Sequence, residues 1–305
     1  MSYYLEPVSE NNLEDIKYLI KSIYDRDSSI ETIGKKYDTS GFGEYTVGYI
    51  AYHEETKEPS AYYGVFPIVF EYKGKKILAA QSGDTMTHPN HRRKGLFTKL
   101  AKETYELAKA KGVEFVFGFP VEASYYGFVK KLDWKHDNDI QKYDFFTLSI
   151  PYSYLFKKHH NKIASFLLKG RKNKDSYPNS NIDLNLPKIE RSTSFYEYKN
   201  KEGNFNVNFL GLKIWFHIKG VTMIIADLEF GRKTSIRSVI FKLRVLATIL
   251  GVVRVSFHLT NNSSLNDMLK SKYKNKKGLA VGYVNFSSEL PLNELCFTYA
   301  DFDTF

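Results

Sequence analysis

The feature that most constrains the fold of this chain is a weak internal repeat. When Val113 is set against Val252, an offset of 139 residues, the segment VEFVFGFP falls on VVRVSFHL. A helical pattern ends at Gly112 in the first copy and at Gly251 in the second. The agreement continues without a gap over about thirty residues and predicts two tandem copies of one fold, with chance agreement of element lengths as the alternative.

Composition and the repeat together divide the chain into three parts. Its 305 residues suffice for two domains of ordinary size. A basic amphipathic stretch that turns into an Asn- and Pro-rich run marks a linker over 151–187, between domains at 1–150 and 188–305. The basic part of this linker suits either a solvated helix packed on a domain or contact with an anionic membrane surface, and we favour packing.

The first domain alternates strand and helix patterns, which predicts an α/β (α+β) fold. Period-2 and short apolar runs predict strands, and apolar residues at helical spacing predict helices. The predicted strands cover 46–53, 61–72, 76–87, 113–119 and 143–148, and the predicted helices cover 13–24, 96–111 and 124–132.

Charge and cysteine content indicate which ligands and which cellular compartment suit the protein. The net charge of +10 favours polyanionic ligands, including phosphorylated small molecules. Cys296 is the single cysteine, which fits a reducing compartment. The first twenty residues lack the pattern of a signal peptide, and 236–255 carries four basic residues. We therefore expect a cytoplasmic protein with at most peripheral membrane contact.

The segment from Ser82 to Gly112 carries the most chemical information. A predicted strand ends at Thr87, a short basic turn with one glycine follows, and an amphipathic helix begins. The first turn of a helix has unpaired N–H groups and the positive end of the helix dipole. A glycine at this point lets a phosphate approach the backbone closely. The segment therefore predicts a pyrophosphate cradle, with an ordinary solvated basic turn as the alternative.

The stretch THPNHRRKGLF at this junction resembles the Gln/Arg-x-x-Gly-x-Gly/Ala motif of GNAT acetyltransferases. Arg92 and Gly95 match the motif, whereas Phe97 replaces its final small residue. The resemblance covers about residues 3 to 150. It implies a GNAT fold, with a mixed, mostly antiparallel twisted sheet flanked by helices, and a second degenerate copy in the C-terminal half.

The same resemblance implies a set of cofactor-binding residues and acetyl-CoA as co-substrate, without a metal. The backbone of the strand end would hold the pantetheine arm, and the turn with the first helical residues would hold the phosphates. These residues are Met86, Thr87, Arg92, Arg93, Lys94, Gly95, Leu96 and Phe97.

The catalytic residues are less well defined. Many GNAT enzymes use a tyrosine acid in the helix after the fifth strand, and that position is Val129 here. The candidates are Tyr125 and Tyr126 as acids, and Asp84, Glu122 and His88 as bases. Asp84 lies inside an otherwise apolar strand, so it should face a cleft or be hydrogen-bonded.

The second copy lacks the cradle signature. At the same offset, Thr234 stands opposite Gly95 and Gly231 opposite Arg92. We therefore predict one acetyl-CoA site, with the C-terminal half shaping the acceptor pocket or a dimer. The final segment FTYADFDTF is either a sheet strand with Asp301 and Asp303 at a cleft or plain packing, and packing is preferred.

The resulting prediction is an N-acetyltransferase that acts on a small amine. Tandem-GNAT chains of this kind resemble acetyltransferases of bacterial surface polysaccharides, which implies an amino sugar, either free or nucleotide-linked, as acceptor. The alternatives are a FemAB-like aminoacyltransferase and a non-catalytic acyl-CoA-binding protein. No nucleic-acid motif is present, so we expect no nucleic-acid partner, and a homodimer is left open.

Overall fold

The computed structural model describes residues 2–156, 159–173, 176–231 and 233–305. The first elements are β1 (Tyr3–Pro7), α1 (Leu13–Tyr24), α2 (Ile30–Tyr37), β2 (Val47–His53), β3 (Pro59–Tyr72), β4 (Lys75–Thr87), α3 (Leu96–Ala110), β5 (Phe115–Gly118), α4 (Glu122–Lys131) and β6 (Lys135–Phe146). They are followed by α5 (Tyr152–Leu155), α6 (His160–Leu167), β7 (Lys188–Ile189), α7 (Thr193–Lys199), β8 (Asn204–Phe209), β9 (Leu212–Lys219), β10 (Thr222–Phe230), α8 (Ile236–Ile249), β11 (Arg254–Leu259), α9 (Ser264–Lys270) and β12 (Lys276–Asn285).

The chain forms two compact units, each discontinuous in sequence. Unit 1 contains the chain up to Asp137 together with Ala280–Asn293. Unit 2 contains Asn138–Leu279 together with Glu294–Phe305. These units differ from the contiguous domains predicted at 1–150 and 188–305, because each sheet receives a strand from the other half of the sequence.

The sheet of unit 1 has the order β1-β2-β3-β4-β5, followed by residues 280–285 of β12. Strands β1, β2, β3 and β4 pair antiparallel in that order, β5 is parallel to β4, and β12 is antiparallel to β5. Adjacent residues on β3 point to opposite faces. Tyr62 accordingly packs in a core with α1 and α2, and Tyr63 packs in a second core with α3 and α4.

Helix α1 shows why the sequence predicted these elements well. Its apolar residues recur at helical spacing, and Ile16, Leu19 and Ile20 are all buried against the sheet. Asp25 closes the helix in the left-handed conformation, with its N–H bonded to the carbonyl of Lys21. The predicted helix, 13–24, coincides with α1.

The sheet of unit 2 repeats much of this arrangement. Residues 138–146 of β6 lead the order β6-β11-β10-β9-β8, and β11 is parallel to β10 while the other pairs are antiparallel. Helix α3 ends at Ala110 and α8 at Ile249, and β5 begins at Phe115 and β11 at Arg254. Both separations are 139 residues, so the predicted repeat is present in the element boundaries.

The strand that closes each repeat is exchanged between the two units. β6 follows α4 in sequence, but its residues Gln141–Phe146 pair with β11 of unit 2. β12 follows α9, but its residues Gly282–Asn285 pair with β5 of unit 1. Gly118 and Gly282 face each other in this second pairing, and the indole of Trp134 covers both glycines.

The remaining segments were predicted with mixed success. The predicted linker, 151–187, contains the helices α5 and α6, and its residues 157, 158, 174 and 175 lie outside the described residues. Residues 299–301 form a 3-10 turn instead of a strand, and Asp301 is buried, as the packing interpretation required. Cys296 is also buried. In the described parts of the chain, every helix is too short or too polar to span a membrane.

Candidate functional site

Strands β4 and β5 separate to open a gap in unit 1. They pair in parallel register at Ala80–Val116 and Gln81–Phe117. β5 ends one residue later, at Gly118, whereas β4 continues to Thr87. The end of β4, which includes the predicted pantetheine-binding residues Met86 and Thr87, therefore has no length of β5 to pair with. An extended ligand can lie against the β4 backbone at this point.

A β-bulge lies in β4 beside this gap. Tyr62 pairs with Met86 and Gly64 pairs with Gly83, so Tyr63 alone opposes both Asp84 and Thr85. Asp84 has φ of 49°, in the left-handed region that few residues other than glycine adopt. A bulge bends and twists its strand, and bulges are common next to active sites. Pairing with β3 resumes after this bulge, at Met86 and Thr87.

The side chain of Asp84, the first candidate base, is held by two partners. One carboxylate oxygen lies 2.8 Å from Nζ of Lys36, and the other accepts a hydrogen bond from the Tyr37 hydroxyl at 3.3 Å. The Asp84 side chain is 20% exposed. These contacts satisfy a carboxylate inside a strand, so Asp84 is hydrogen-bonded, which was one of the two expectations, and it forms an ion pair with Lys36.

Gly95 opens helix α3 at the end of the basic turn. Its φ is 76°, which glycine adopts without strain, and no side chain caps the helix. A Cβ atom added to Gly95 would meet no atom within 4 Å. The space beside Gly95 is therefore open and the first turn of α3 has no side-chain cap, which suits a phosphate-binding helix start.

Three basic side chains flank this helix start. Arg92, Arg93 and Lys94 are all exposed, and Nε of Arg92 lies 3.5 Å from the carbonyl oxygen of Thr87. Exposed guanidinium and ammonium groups next to a helix N-terminus create a concentrated positive potential. The structure thus brings together the predicted strand end, the basic turn and the glycine.

The first two residues of α3 point into the protein. Leu96 is buried, and the ring of Phe97 packs edge-on against Phe128 at 5.3 Å between centroids. A Cβ on Gly127 of α4 would lie 2.9 Å from the Phe97 ring. The bulky Phe97, where the GNAT motif has a small residue, is therefore accommodated because Gly127 has no side chain.

Helix α4 carries the candidate acids. The Tyr125 hydroxyl lies 2.7 Å from Nδ1 of His136, and the Tyr126 ring is 65% exposed. Glu122, the second candidate base, is exposed at the start of the same helix. Tyr125 is thus the candidate acid with a fixed position. Its partner His136 was not predicted, because it lies on the next strand and carries no local signal.

A buried chain of hydroxyl groups supports the start of the gap, and sequence reasoning missed it. Ser82 lies 2.9 Å from the Tyr63 hydroxyl, which lies 2.9 Å from the Tyr105 hydroxyl. The indole N–H of Trp134 donates to Tyr105 at 2.8 Å. Burial raises the pKa of Tyr63 and of Tyr105, so both phenols stay neutral and act as hydrogen-bonding groups. The chain fixes β4 where it leaves β5.

The third candidate base, His88, contacts a different group of residues. Its Nε2 lies 4.0 Å from Oε1 of Glu58, and its ring is stacked on Tyr18. His91 lies on the other side of the same carboxylate, with Nε2 3.7 Å from Oε2. His88 therefore belongs to a cluster at the base of the β4–α3 turn.

Unit 2 has a different arrangement at the start of α8. Ser235 caps the helix, and its side chain accepts a hydrogen bond from the N–H of Ser238. Thr234, which stands opposite Gly95 in the repeat, directly precedes this cap. The first turn of α8 is thus partly satisfied by the protein's own side chain.

Unit 2 also contains a pocket of about 500 Å³ that sequence reasoning did not indicate. The buried Asn181 lines it, together with Asn262 and Cys296. The side-chain oxygens of Asn181 and Asn262 are buried there without a hydrogen-bond partner in the described structure. The pocket is lined by none of the predicted site residues.

Residues 49–136 match the family model described as acetyltransferase (GNAT) domain. The matched segment contains the bulge, the gap between β4 and β5, the basic turn and the candidate acids of α4. No curated protein matches this chain.

Several solved structures share the fold. A protein from Enterococcus faecalis V583, described as a probable N-acyltransferase, superposes with a TM-score of 0.63 at 12% identity, covering 94% of this chain and 73% of its own. A GCN5-related N-acetyltransferase from Kribbella flavida gives 0.58 at 12% identity, with coverage of 93% and 72%. A putative acetyltransferase from Pyrococcus horikoshii gives 0.53 at 11% identity, with coverage of 97% and 93%. The chain therefore has the GNAT fold, and residues 49–136 are the segment that matches the GNAT acetyltransferase model.

Proposed function

We propose that this protein is an acetyl-CoA-dependent N-acetyltransferase whose single acetyl-CoA site lies in unit 1. The observation that carries the proposal is the open start of α3, where left-handed Gly95 follows three exposed basic residues. The pyrophosphate of CoA fits such a site, since it is an anion that binds unpaired N–H groups and positive charge. The capped start of α8 supports placing no second site in unit 2.

The remaining predicted residues fit the rest of the cofactor. The pantetheine arm would lie along Met86 and Thr87, where β4 has left β5. In this arrangement the irregular backbone of the bulge at Asp84 and Thr85 would lie beside the acyl end of the ligand. Bound acetyl-CoA would supply an activated acyl group at this point.

The chain itself would then supply position and proton transfer. Holding an amine and a thioester in one geometry contributes much of the rate in such a transfer. The amine nitrogen gains the acetyl group and loses one proton, and the sulfur leaves as a thiol after gaining one. We assign the donation of that proton to the Tyr125 hydroxyl, which the hydrogen bond with His136 holds in place. Tyr126 and Glu122 are exposed alternatives.

The acceptor is proposed as a small primary amine. The resemblance to amino-sugar acetyltransferases supports an amino sugar, and the basic net charge of +10 suits a nucleotide-linked one. A second candidate function is binding of acyl-CoA without transfer. It is favoured by Val129, which stands where many GNAT enzymes have their tyrosine acid.

Calorimetric titration with acetyl-CoA tests the proposal, and the chain offers a matched control. Gly95 and Gly74 have φ of 76° and 77°, and an added Cβ meets no atom within 4 Å at either position. Gly95→Glu and Gly74→Glu therefore introduce the same strain, bulk and charge, but only the first at the cradle. We expect acetyl-CoA to bind the wild type and Gly74→Glu at one site per chain, and Gly95→Glu to lose at least about 100-fold in affinity.

Two results would oppose the proposal. Absence of acetyl-CoA binding to the wild type would reduce the acetyltransferase assignment to a shared fold and favour the FemAB-like alternative. Binding without acetyl transfer to any member of a panel of amino sugars and other primary amines would favour the non-catalytic candidate. A Tyr125→Phe variant that binds normally but transfers slowly would support the assigned acid.

A further inference from the structure

A cluster of potential metal ligands lies at the base of the β4–α3 turn, and it includes His88, which the sequence offered as a candidate base. Glu58 comes from the turn between β2 and β3, and His88 and His91 come from the residues that follow β4. One ligand atom from each of the three lies within 4.8 Å of the others. The sequence did not predict this group, because Glu58 is far from the histidines along the chain.

The spacing of these atoms is close to that of a zinc site. Zn²⁺ binds imidazole nitrogen and carboxylate oxygen at about 2.0–2.2 Å, so two ligand atoms of a tetrahedral site lie about 3.4 Å apart. Nε2 of His91 is 3.7 Å and Nε2 of His88 is 4.0 Å from the oxygens of Glu58. The three ligand atoms lie within 4.8 Å of one another, so side-chain movements of at most about 1.4 Å between any two of them would complete the geometry.

The two histidines of the cluster are largely enclosed, whereas the Glu58 side chain is 33% exposed, and a second layer of hydrogen bonds surrounds the group. The His91 side chain is 8% exposed and the His88 side chain 12%. Nδ1 of His91 lies 2.9 Å from the Tyr3 hydroxyl, and Tyr18 donates to Oε1 of Glu58 at 2.5 Å. Metal-binding histidines commonly engage their second ring nitrogen in this way, which orients the first nitrogen toward the ion.

The charge state of the group suits a cation. A glutamate carboxylate is ionised at neutral pH, and the Tyr18 hydroxyl donates a hydrogen bond to one oxygen of Glu58. Nδ1 of His88 makes only a long contact, 3.4 Å, with the N–H of Asn90. A modest turn of the ring releases this contact and lets Nδ1 carry the proton while Nε2 binds metal.

We propose that Glu58, His88 and His91 bind one divalent transition-metal ion, with Zn²⁺ preferred, and that a water molecule fills the fourth position. Two imidazoles and one carboxylate form a ligand set that zinc accepts, and they leave one coordination position open. The ion would join the β2–β3 turn to the residues that precede Arg92. Its role would therefore be to fix the turn that leads to the basic residues, and it is independent of the identity of the acyl donor.

The test uses the full chain without a polyhistidine tag, freed of metal with a chelator and then titrated with ZnCl₂ in a calorimeter. We expect one Zn²⁺ per chain with a dissociation constant at or below about 1 μM. His88→Ala and His91→Ala should each weaken binding by more than about 100-fold, and Tyr3→Phe by about 10-fold or more through loss of the second layer. His159→Ala, at an exposed histidine of unit 2, is the matched control and should bind as the wild type does.

Cobalt supplies a second readout that requires direct ligation. Co²⁺ bound by nitrogen and oxygen in a tetrahedral site gives strong visible absorption, which should appear in the wild type and be absent in His88→Ala. Circular dichroism checks that each variant is folded. If a histidine variant does not fold, the weaker Zn²⁺ binding expected of Tyr3→Phe still tests the proposal. Failure of the wild type to bind stoichiometric Zn²⁺, or binding that survives the double variant His88→Ala/His91→Ala, overturns the proposal and leaves simple His–Glu contacts.

Discussion

In both units a strand with a bulge leads to a helix, but the two junctions differ in the burial of an aspartate and in the capping of the helix. In unit 1 the bulge of β4 contains Asp84, which is 20% exposed beside Lys36, and the helix that follows begins at uncapped Gly95. In unit 2 a bulge in β10 is followed by Asp227, whose side chain is fully buried, and the next helix is capped by Ser235.

The partners of the two aspartates show what this difference means. Arg191 of unit 2 lies beside both Asp227 and Asp301, and all three side chains are at least 94% buried. Burial raises the pKa of Asp227 to about 6 although the guanidinium is near. The comparison teaches that one architecture can keep its polar groups available to a ligand or use them internally. We infer that the junction of unit 2 is structural.

The largest expected effect comes from breaking the buried charges of unit 2. Asp301→Ala removes one of the two carboxylates beside the buried Arg191 guanidinium. Removal of one member of a buried ion pair lowers the free energy of unfolding by about 3–5 kcal/mol. Asp267→Ala, which removes an exposed ion pair with Lys270, should cost less than about 1 kcal/mol. Denaturant unfolding followed by tryptophan fluorescence checks this, because Trp215 is buried in unit 2. Equal destabilisation by both changes would contradict a structural role for the buried cluster.

A smaller effect is a loss of acetyl-CoA affinity, which we expect when a basic residue is removed at the junction of unit 1 but not at the junction of unit 2. Arg92→Ala should weaken acetyl-CoA binding by about 10-fold, since a charge-assisted hydrogen bond to phosphate contributes about 1.5–3 kcal/mol, part of which water and neighbouring charges replace. Arg237→Ala, at an exposed residue in the first turn of α8, should leave affinity unchanged. Calorimetry at two salt concentrations checks both variants. A matching loss in Arg237→Ala would mean that the second junction also binds the ligand.

The smallest effect concerns the cap that distinguishes α8. Ser235→Ala removes the acceptor for the N–H of Ser238 and should lower the stability of unit 2 by about 1 kcal/mol. Acetyl-CoA affinity should not change. Ser271→Ala, at an exposed serine after α9, is the control for loss of a surface hydroxyl. A gain of acetyl-CoA binding in Ser235→Ala would show instead that the cap alone closes a second site.

Local patterns made much of the fold and the cradle predictable. Apolar spacing predicted helix 13–24 with the bounds that α1 has, and the strands β2 to β5 were placed within a few residues. Gly95 and Gly112 were identified as turn or cap residues, and both have positive φ. These features depend on neighbours along the chain, which is what a single sequence records directly.

The features that sequence reasoning missed depend on distant residues. Tyr125 meets His136, and Asp84 meets Lys36, through the packing of separate elements. Glu58 and His88 come together only because the β2–β3 turn lies beside the end of β4. The exchanged strands were missed for the same reason. The alternation of a strand shows which residues face a core, but it does not specify the neighbouring strand.

The exchange of β6 and β12 has a consequence for how this protein is made. Unit 1 needs Ala280–Asn293, so its sheet stays incomplete until the ribosome has synthesised this segment, about 140 residues after Asp137. Until then the edge of β5 has an unoccupied row of hydrogen-bonding groups, and exposed strand edges favour aggregation. Nascent chains of this protein should therefore depend on chaperones late in translation, and neither half should become stable when it is produced alone.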